Sequence, residues 1–253
     1  MDSSIAVAGK GGSGKTSIAS LIIRYLKNKG LVPILAVDAD GNANLAESLG
    51  LKVEKTIGSI LADFNEDKIS IPSCLTKGAY LEFKLNETIV ESENLDLITM
   101  GRGEGTGCYC YPNTMLKKFI DELRPNYAYM VMDNESGMEH LSRRTTENID
   151  RLLIISDHSV KGVRTVARII ELITELKLVV IRQSVVINFV PTTLDSHVVK
   201  ELERLGIETT ATIPLDDEVH KYDLEQRPLL NLPDTSKAVI AVDKLMNNVL
   251  SQD

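Results

Sequence analysis

Gly9-Lys10-Gly11-Gly12-Ser13-Gly14-Lys15-Thr16, GKGGSGKT, decides how this chain is read. It closes the β-branched run SSIAVAG and opens a segment, from about Lys15 to Lys29, with the apolar spacing of a helix. The eight residues fit G-x-x-x-x-G-K-T, and a strand before with a helix after is the context that gives the pattern its meaning. The glycines let backbone N–H groups turn inward on phosphates, Lys15 reaches the β- and γ-phosphates, and Thr16 holds Mg²⁺. A mere glycine turn does not account for a full match in this setting.

Outward from that loop, short β-branched runs alternate with helical patterns. VPILAVD, LDLITM, YAYMVMD, RLLIISD, QSVVINFV and ETTATIP read as strands. Helices are expected after Pro112, from about Val160 to Leu176, near Leu194 to Leu205 and from about Ser236 to Leu250. RLLIIS and SVVINF are apolar on both faces, so they belong in a mostly parallel sheet with helices on both sides. The expected class is α/β, a P-loop nucleotide-binding fold. Thr56 to Glu93 reads less simply, as a helix over IGSILADF followed by an edge strand or hairpin over AYLEFKL.

Neither a linker nor a composition break divides the 253 residues, so one domain over 1–253 is expected. MDSSIAVAGK lacks the basic start and long apolar core of a signal peptide, and no apolar run approaches the roughly 20 residues that span a bilayer. A cytoplasmic protein is therefore expected. Three cysteines cannot build a disulfide framework in that compartment, so a close pair points to metal or redox chemistry. A net charge of -8 argues against non-specific nucleic-acid binding.

With Lys10 included, KGGSGKT resembles the deviant Walker A motif of the SIMIBI-class ATPases, the MinD, ParA and nitrogenase-iron-protein group. That resemblance implies a homodimer in which Lys10 reaches across to the partner's nucleotide, with Gly9 to Ser17 (Gly11, Gly12, Ser13 and Gly14 among them) cradling ATP or ADP. It makes Val37-Asp38-Ala39-Asp40-Gly41-Asn42 switch I, where Asp38 or Asp40 positions the attacking water. Many relatives have proline where this chain has Gly41. Tyr129-Met130-Val131-Met132-Asp133 has the form of Walker B, with Asp133 holding a water of the Mg²⁺ shell, and Asn134 to Leu141 resembles switch II. The chain reads Asn188-Phe189-Val190-Pro191 after SVVIN and so lacks the aspartate of the guanine-reading N-K-x-D motif. In the group, the positions of Asn188, Pro214 and Asp216 surround adenine, which makes ATP the expected nucleotide.

Two of the cysteines lie one residue apart in Gly107-Cys108-Tyr109-Cys110-Tyr111-Pro112. On a loop, two thiolates at this spacing can converge on one soft metal ion. One chain supplies two ligands, and a two-fold axis near the loop would supply the partner's pair. GKGGSGKT, DADGN, MGRGEGTGCYCYPN and VMDNESGMEHLSRRT together resemble the CooC-type and AcsF-like accessory ATPases that assist nickel insertion into carbon monoxide dehydrogenase or acetyl-CoA synthase. The resemblance implies an ATP-driven metallochaperone whose Cys108 and Cys110 hold Ni²⁺, with Zn²⁺ an alternative occupant, across the dimer.

Two rivals stand beside it. One is a positioning switch of the MinD or ParA kind. The acidic charge and a terminal helix carrying only Lys237 and Lys244 as basic residues count against a DNA or membrane partner. The other is an electron-transfer ATPase like the nitrogenase iron protein, disfavoured because switch II has no cysteine. Cys74 reads as a half-buried free thiol. His140 reads as a structural hydrogen-bonding residue in switch II, and His158, His197 and His220 as surface or capping residues. Asp157, Lys161 and Arg164 are expected, on the resemblance, to border the nucleotide or the dimer face.

Overall fold

The protein is described by a computed structural model over residues 3–65, 71, 74–101, 118–134 and 148–251. The strands are β1 (Ser3–Gly9), β2 (Ile34–Ala39), β3 (Ile89–Val90), β4 (Leu95–Thr99), β5 (Tyr129–Asn134), β6 (Asn148–Asp157), β7 (Val179–Val190) and β8 (Ala211–Pro214). Among the described residues they form one eight-stranded sheet in the order β3-β4-β2-β5-β1-β6-β7-β8. Every neighbouring pair is parallel except β3 with β4.

The helices are α1 (Lys15–Asn28), α2 (Asn44–Leu49), α3 (Ile57–Asn65), α4 (Lys77–Asn86), α5 (over 118–123), α6 (Val160–Glu175), α7 (Ser196–Leu205), α8 (Asp217–Leu224) and α9 (Lys237–Leu250). Strand alternation assigns them to two layers. Ile5, Val7, Ile34 and Ala36 pack with α1, α2 and α9, whereas Ala6, Ala8, Leu35 and Val37 pack with α3 to α7 on the other face. Both faces are dry, which is why these strands read as continuous apolar runs rather than as alternating ones.

Two expectations are corrected. AYLEFKL is not a strand but lies inside α4. Thr76 caps the helix by accepting from the Ala79 backbone N–H at 3.2 Å, and Leu81 and Leu85, one turn apart, are fully buried. The segment satisfies both periods, but Phe83, which a strand would turn to the same side as Leu81 and Leu85, is 58% exposed. The antiparallel edge is only Ile89–Val90. Cys74 is exposed rather than half-buried, because it sits in the turn ahead of α4 and not against a core face.

The sheet register places the chemistry. Thr99, Asp38 and Asp133 are direct neighbours across β4, β2 and β5, and Val7, two residues before the loop, pairs with Asp133. All lie at the carboxyl ends of parallel strands, the end at which open α/β sheets bind ligands.

Candidate nucleotide site

The loop from Gly9 to Gly14 leaves β1 and turns directly into α1. Gly9 has φ +152°, and a Cβ there would stand 2.1 Å from the Ile155 carbonyl oxygen. Backbone cannot yield to that contact, so only glycine fits. Gly14 has φ +84°, and its missing Cβ leaves room for Asn188 and Phe189. The first turn of α1 carries no acidic residue and no side-chain cap, so no side chain of its own competes with an anion for its free N–H groups.

Lys15, 7% exposed, folds back so that Nζ donates to the Lys10 carbonyl at 3.3 Å. Thr16 Oγ1 donates to Asp133 Oδ2 at 2.6 Å, while the buried Asp133 Oδ1 has no partner. The Thr16 hydroxyl and the Asp133 carboxylate, one of whose oxygens is unpaired, are hard-oxygen donors of the kind that fit Mg²⁺. The Ser13 hydroxyl is likewise buried without a partner. Lys10 lies 3.5 Å from Asp157 Oδ2 of its own chain. Burial works to raise the Asp157 pKa, but hydrogen bonds from Ser159 and the charge of Lys10 outweigh it and hold the carboxyl below its ordinary range.

Asp38 and Asp40 differ sharply. Asp38 is fully buried, with Oδ1 accepting from Asp40 N at 3.1 Å and Oδ2 from Leu45 N at 2.9 Å. Its carboxylate therefore anchors the turn between β2 and α2. Asp40 is partly exposed, and its Oδ1 accepts from Asn42 N at 2.8 Å. Burial pushes the Asp38 pKa up to about 7, against the lowering pull of those two N–H groups, with the charges of Asp133 and Asp40 adding to the rise. Burial likewise raises Asp133 to about 6, opposed by the Thr16 hydrogen bond and Lys15.

These two shifts set a pH dependence. Both carboxyls ionise near 4 in the unfolded chain, so between pH 4 and about 7 the folded protein holds protons that the unfolded chain has lost. Stability of the nucleotide-free, Mg²⁺-free protein should therefore fall as pH rises from 4 to about 7, and this contribution should level off above. Thermal melts at pH 6 and pH 8 should show the higher midpoint at pH 6, and Asp38→Asn should shrink the difference. Equal slopes in the two proteins would mean that Asp38 ionises at its ordinary value.

A cavity of about 320 Å³ opens beside Thr16 and Ser17 and runs past Asn188 and Pro214 to Tyr222 and Arg227. The residues expected around adenine are at its wall, with scaffold duties of their own. Asn188 Nδ2 donates to the Ser13 carbonyl at 2.9 Å, and its Oδ1 accepts from Phe189 N at 2.9 Å. Asp216 accepts from Glu218 N on one oxygen and from Ser236 Oγ and Ala238 N on the other, joining α8 to α9. Phe189, Tyr222 and Arg227 were missed by sequence reasoning. Tyr222 and Arg227 come from a segment without a motif, about 200 residues from the loop, whereas Phe189 directly follows Asn188 and could have been singled out there.

Arg164 ties α6 to α7 through Glu201 at 2.6 Å, Lys161 is exposed, and His158, His197 and His220 are exposed. His197 pairs with Asp195, and His220 borders the cavity. Cys108, Cys110 and the switch II stretch from Glu135 to Leu141, with His140, lie outside the described residues. Among the described residues no group of three or more His, Cys, Asp and Glu side chains is placed to hold a metal ion, and no helix is long and apolar enough to cross a membrane.

A glycine turn over a helix N-terminus, roofed by a buried lysine and flanked by a Thr–Asp pair, defines a P-loop nucleotide-binding protein. Residues 4–229 match the CobQ/CobB/MinD/ParA nucleotide binding domain, and the chain belongs to that family. It is 40% identical over 250 residues to the uncharacterized ATP-binding protein MJ0685 of Methanocaldococcus jannaschii, covering 98% of each chain. The carbon monoxide dehydrogenase accessory protein CooC of Rhodospirillum rubrum is 28% identical over 176 residues, 65% of this chain and 66% of that one. The septum site-determining protein MinD of Pyrococcus horikoshii, solved with Mg-ADP, shares the fold at a TM-score of 0.71, 19% identity, and 98% and 96% coverage.

Proposed function

We propose that this chain is a single-domain, ATP-hydrolysing metallochaperone. As a homodimer it carries one divalent metal ion, nickel, on Cys108 and Cys110 of both copies and delivers it to carbon monoxide dehydrogenase or acetyl-CoA synthase. The observation that carries the reading is the link between the nucleotide site and the root of the cysteine segment. Met100 N donates to the Asp38 carbonyl at 2.8 Å, and Gly58 N donates to the Met100 carbonyl at 2.7 Å. Movement of the Asp38–Asp40 turn on nucleotide binding would thus be felt eight residues before Cys108. The partial similarity to CooC supports the client class.

In this reading the loop N–H groups and Lys15 bind the triphosphate of ATP. Thr16 and, through water, Asp133 would hold Mg²⁺, which neutralises phosphate charge when bound. Asp38 anchors switch I, and Asp40, the more accessible carboxylate, orients the attacking water. Lys10 leaves Asp157 for the partner's nucleotide. Hydrolysis then loosens the dimer and makes the thiolate site labile beside the client.

Native mass spectrometry of anaerobic protein, titrated with nickel and with zinc in the presence of ATP, tests this. One metal ion per dimer is expected, and Cys108→Ser/Cys110→Ser should abolish it. Cysteine-independent binding, or none, would sink the chaperone reading, and ATP-dependent capture by anionic vesicles or DNA would then favour a positioning switch.

A further inference from the structure

β7 runs over Val179–Val190, but β8 pairs with it only from Val186 onward. Along Val179 to Ser184 no described strand lies on that side, so this half of β7 is an edge of the sheet. Val185 shows which backbone groups face the edge. Its N–H donates to Thr210 Oγ1 at 3.2 Å, and its carbonyl accepts from Thr210 N at 2.8 Å, so both turn to the β8 side. Backbone direction alternates along a strand, and β7 keeps one register against β6 from Val179 to Asn188. Val179, Ile181 and Gln183 therefore turn their N–H and C=O groups to the same side as Val185, where no described strand receives them.

The side chains of these three residues stand in solvent. Val179 is 55% exposed and Ile181 65%, Gln183 is exposed, and Leu176, just after α6, is 39% exposed. Soluble proteins blunt such edges with a charge, a proline or a covering loop. The three edge-facing positions carry neither a charge nor a proline, and the fold does not require Val or Ile where the side chain meets water.

We propose that this edge pairs with the same edge of a second copy of the chain, antiparallel about a two-fold axis at Ile181. An axis normal to the sheet relates the two strands, and only the register centred on Ile181 returns the set Val179, Ile181 and Gln183 onto itself. It sets Ile181 against Ile181 and Val179 against Gln183 as hydrogen-bonded pairs, and it covers the apolar side chains. An axis at Arg182 would instead set that cation against its own copy and Val179 against Val185, whose backbone groups are already taken. Charge matches at the ends of the pairing. Exposed Lys177, ahead of β7, comes opposite Val185 of the second copy, beside the turn that carries the exposed Glu208. So short a strand pair buries well under the roughly 1,200 Å² of a stable interface, which makes the association weak and reversible. It uses neither nucleotide, Lys10 nor the paired cysteines, and so is distinct from the ATP-dependent dimer proposed above.

Sedimentation equilibrium of nucleotide-free protein, reduced and held metal-free by a chelator, tests this from micromolar to millimolar concentration. Ile181→Lys and Phe83→Lys are run beside it. Phe83, 58% exposed on α4, takes the same charge on an apolar site of another element. The wild type should shift reversibly toward the mass of two chains, and Phe83→Lys should behave as the wild type. Ile181→Lys should associate about tenfold more weakly or not at all, because two lysines would face each other across the axis. Hydrogen exchange over 179–183 should slow with concentration in the wild type and not in Ile181→Lys. A wild type that stays monomeric at millimolar concentration, or an Ile181→Lys that associates equally well, would overturn the proposal. So would association that leaves exchange over 179–183 unchanged, or that Phe83→Lys abolishes as well.

Discussion

Replacement of Lys15 by alanine is expected to remove ATP binding and turnover while leaving the protein folded. Lys15 is a nearly buried ammonium whose hydrogen bond is to the neutral Lys10 carbonyl, and among the described residues it has no ion pair within 4 Å. A desolvated cation without a carboxylate partner costs several kcal/mol. An incoming triphosphate offsets that cost, which concentrates binding energy on this side chain. Loss of one such charged donor in a water-poor site lowers turnover on the order of a hundredfold or more. Removing the cation breaks no ion pair within 4 Å, and the charge it takes from Asp133 is offset by the relief of its own burial, so the apo fold should not be destabilised. Calorimetry and phosphate-release assays should find no ATP binding or turnover above background, with an unchanged or higher melting temperature. ATP affinity within threefold of the wild type would refute the role.

Lys10→Ala should separate binding from turnover. Lys10 is 43% exposed and 3.5 Å from Asp157, and a partly exposed pair of this kind contributes only about 0–1 kcal/mol. So weak a contact can be exchanged for a partner's triphosphate without a large barrier. The variant should bind ATP as a monomer with near-wild-type affinity. ATP-dependent dimerisation, followed by light scattering, should be lost, and turnover should fall on the order of a hundredfold, the scale for one transition-state donor. Normal dimerisation and hydrolysis in Lys10→Ala would leave Lys10 as an ordinary loop residue paired with Asp157.

The class of the fold and the phosphate loop were legible in the sequence because both depend on local rules. Strands buried on two faces must be apolar throughout, and a turn that presents N–H groups to phosphate must be rich in glycine. The strands SSIAVAG, VPILAVD, LDLITM and RLLIISD are all in the sheet, and Lys15, Thr16 and Asp133 are brought together as the spacing of the motifs predicts. AYLEFKL was misread because A-Y-L-E-F-K-L satisfies a period of two and, through Leu81 and Leu85, a period of four. Only the surface it packs against distinguishes them.

By itself, then, the sequence determined the layers, the loop and the residue types that meet at the carboxyl ends of the strands. The tertiary structure alone decided the division of labour between Asp38 and Asp40, since two aspartates two residues apart, one in β2 and one just after it, differ in chemistry only through burial and hydrogen-bond partners. It also decided that Asn188 and Asp216 serve the scaffold as well as the cavity wall, and that Phe189 faces the cavity from a left-handed backbone. The contacts that tie these residues into the scaffold, Asn188 to Ser13 and Asp216 to Ser236, join positions 175 and 20 residues apart. Sequence spacing carries no information about them until the parallel sheet fixes which strand ends are neighbours.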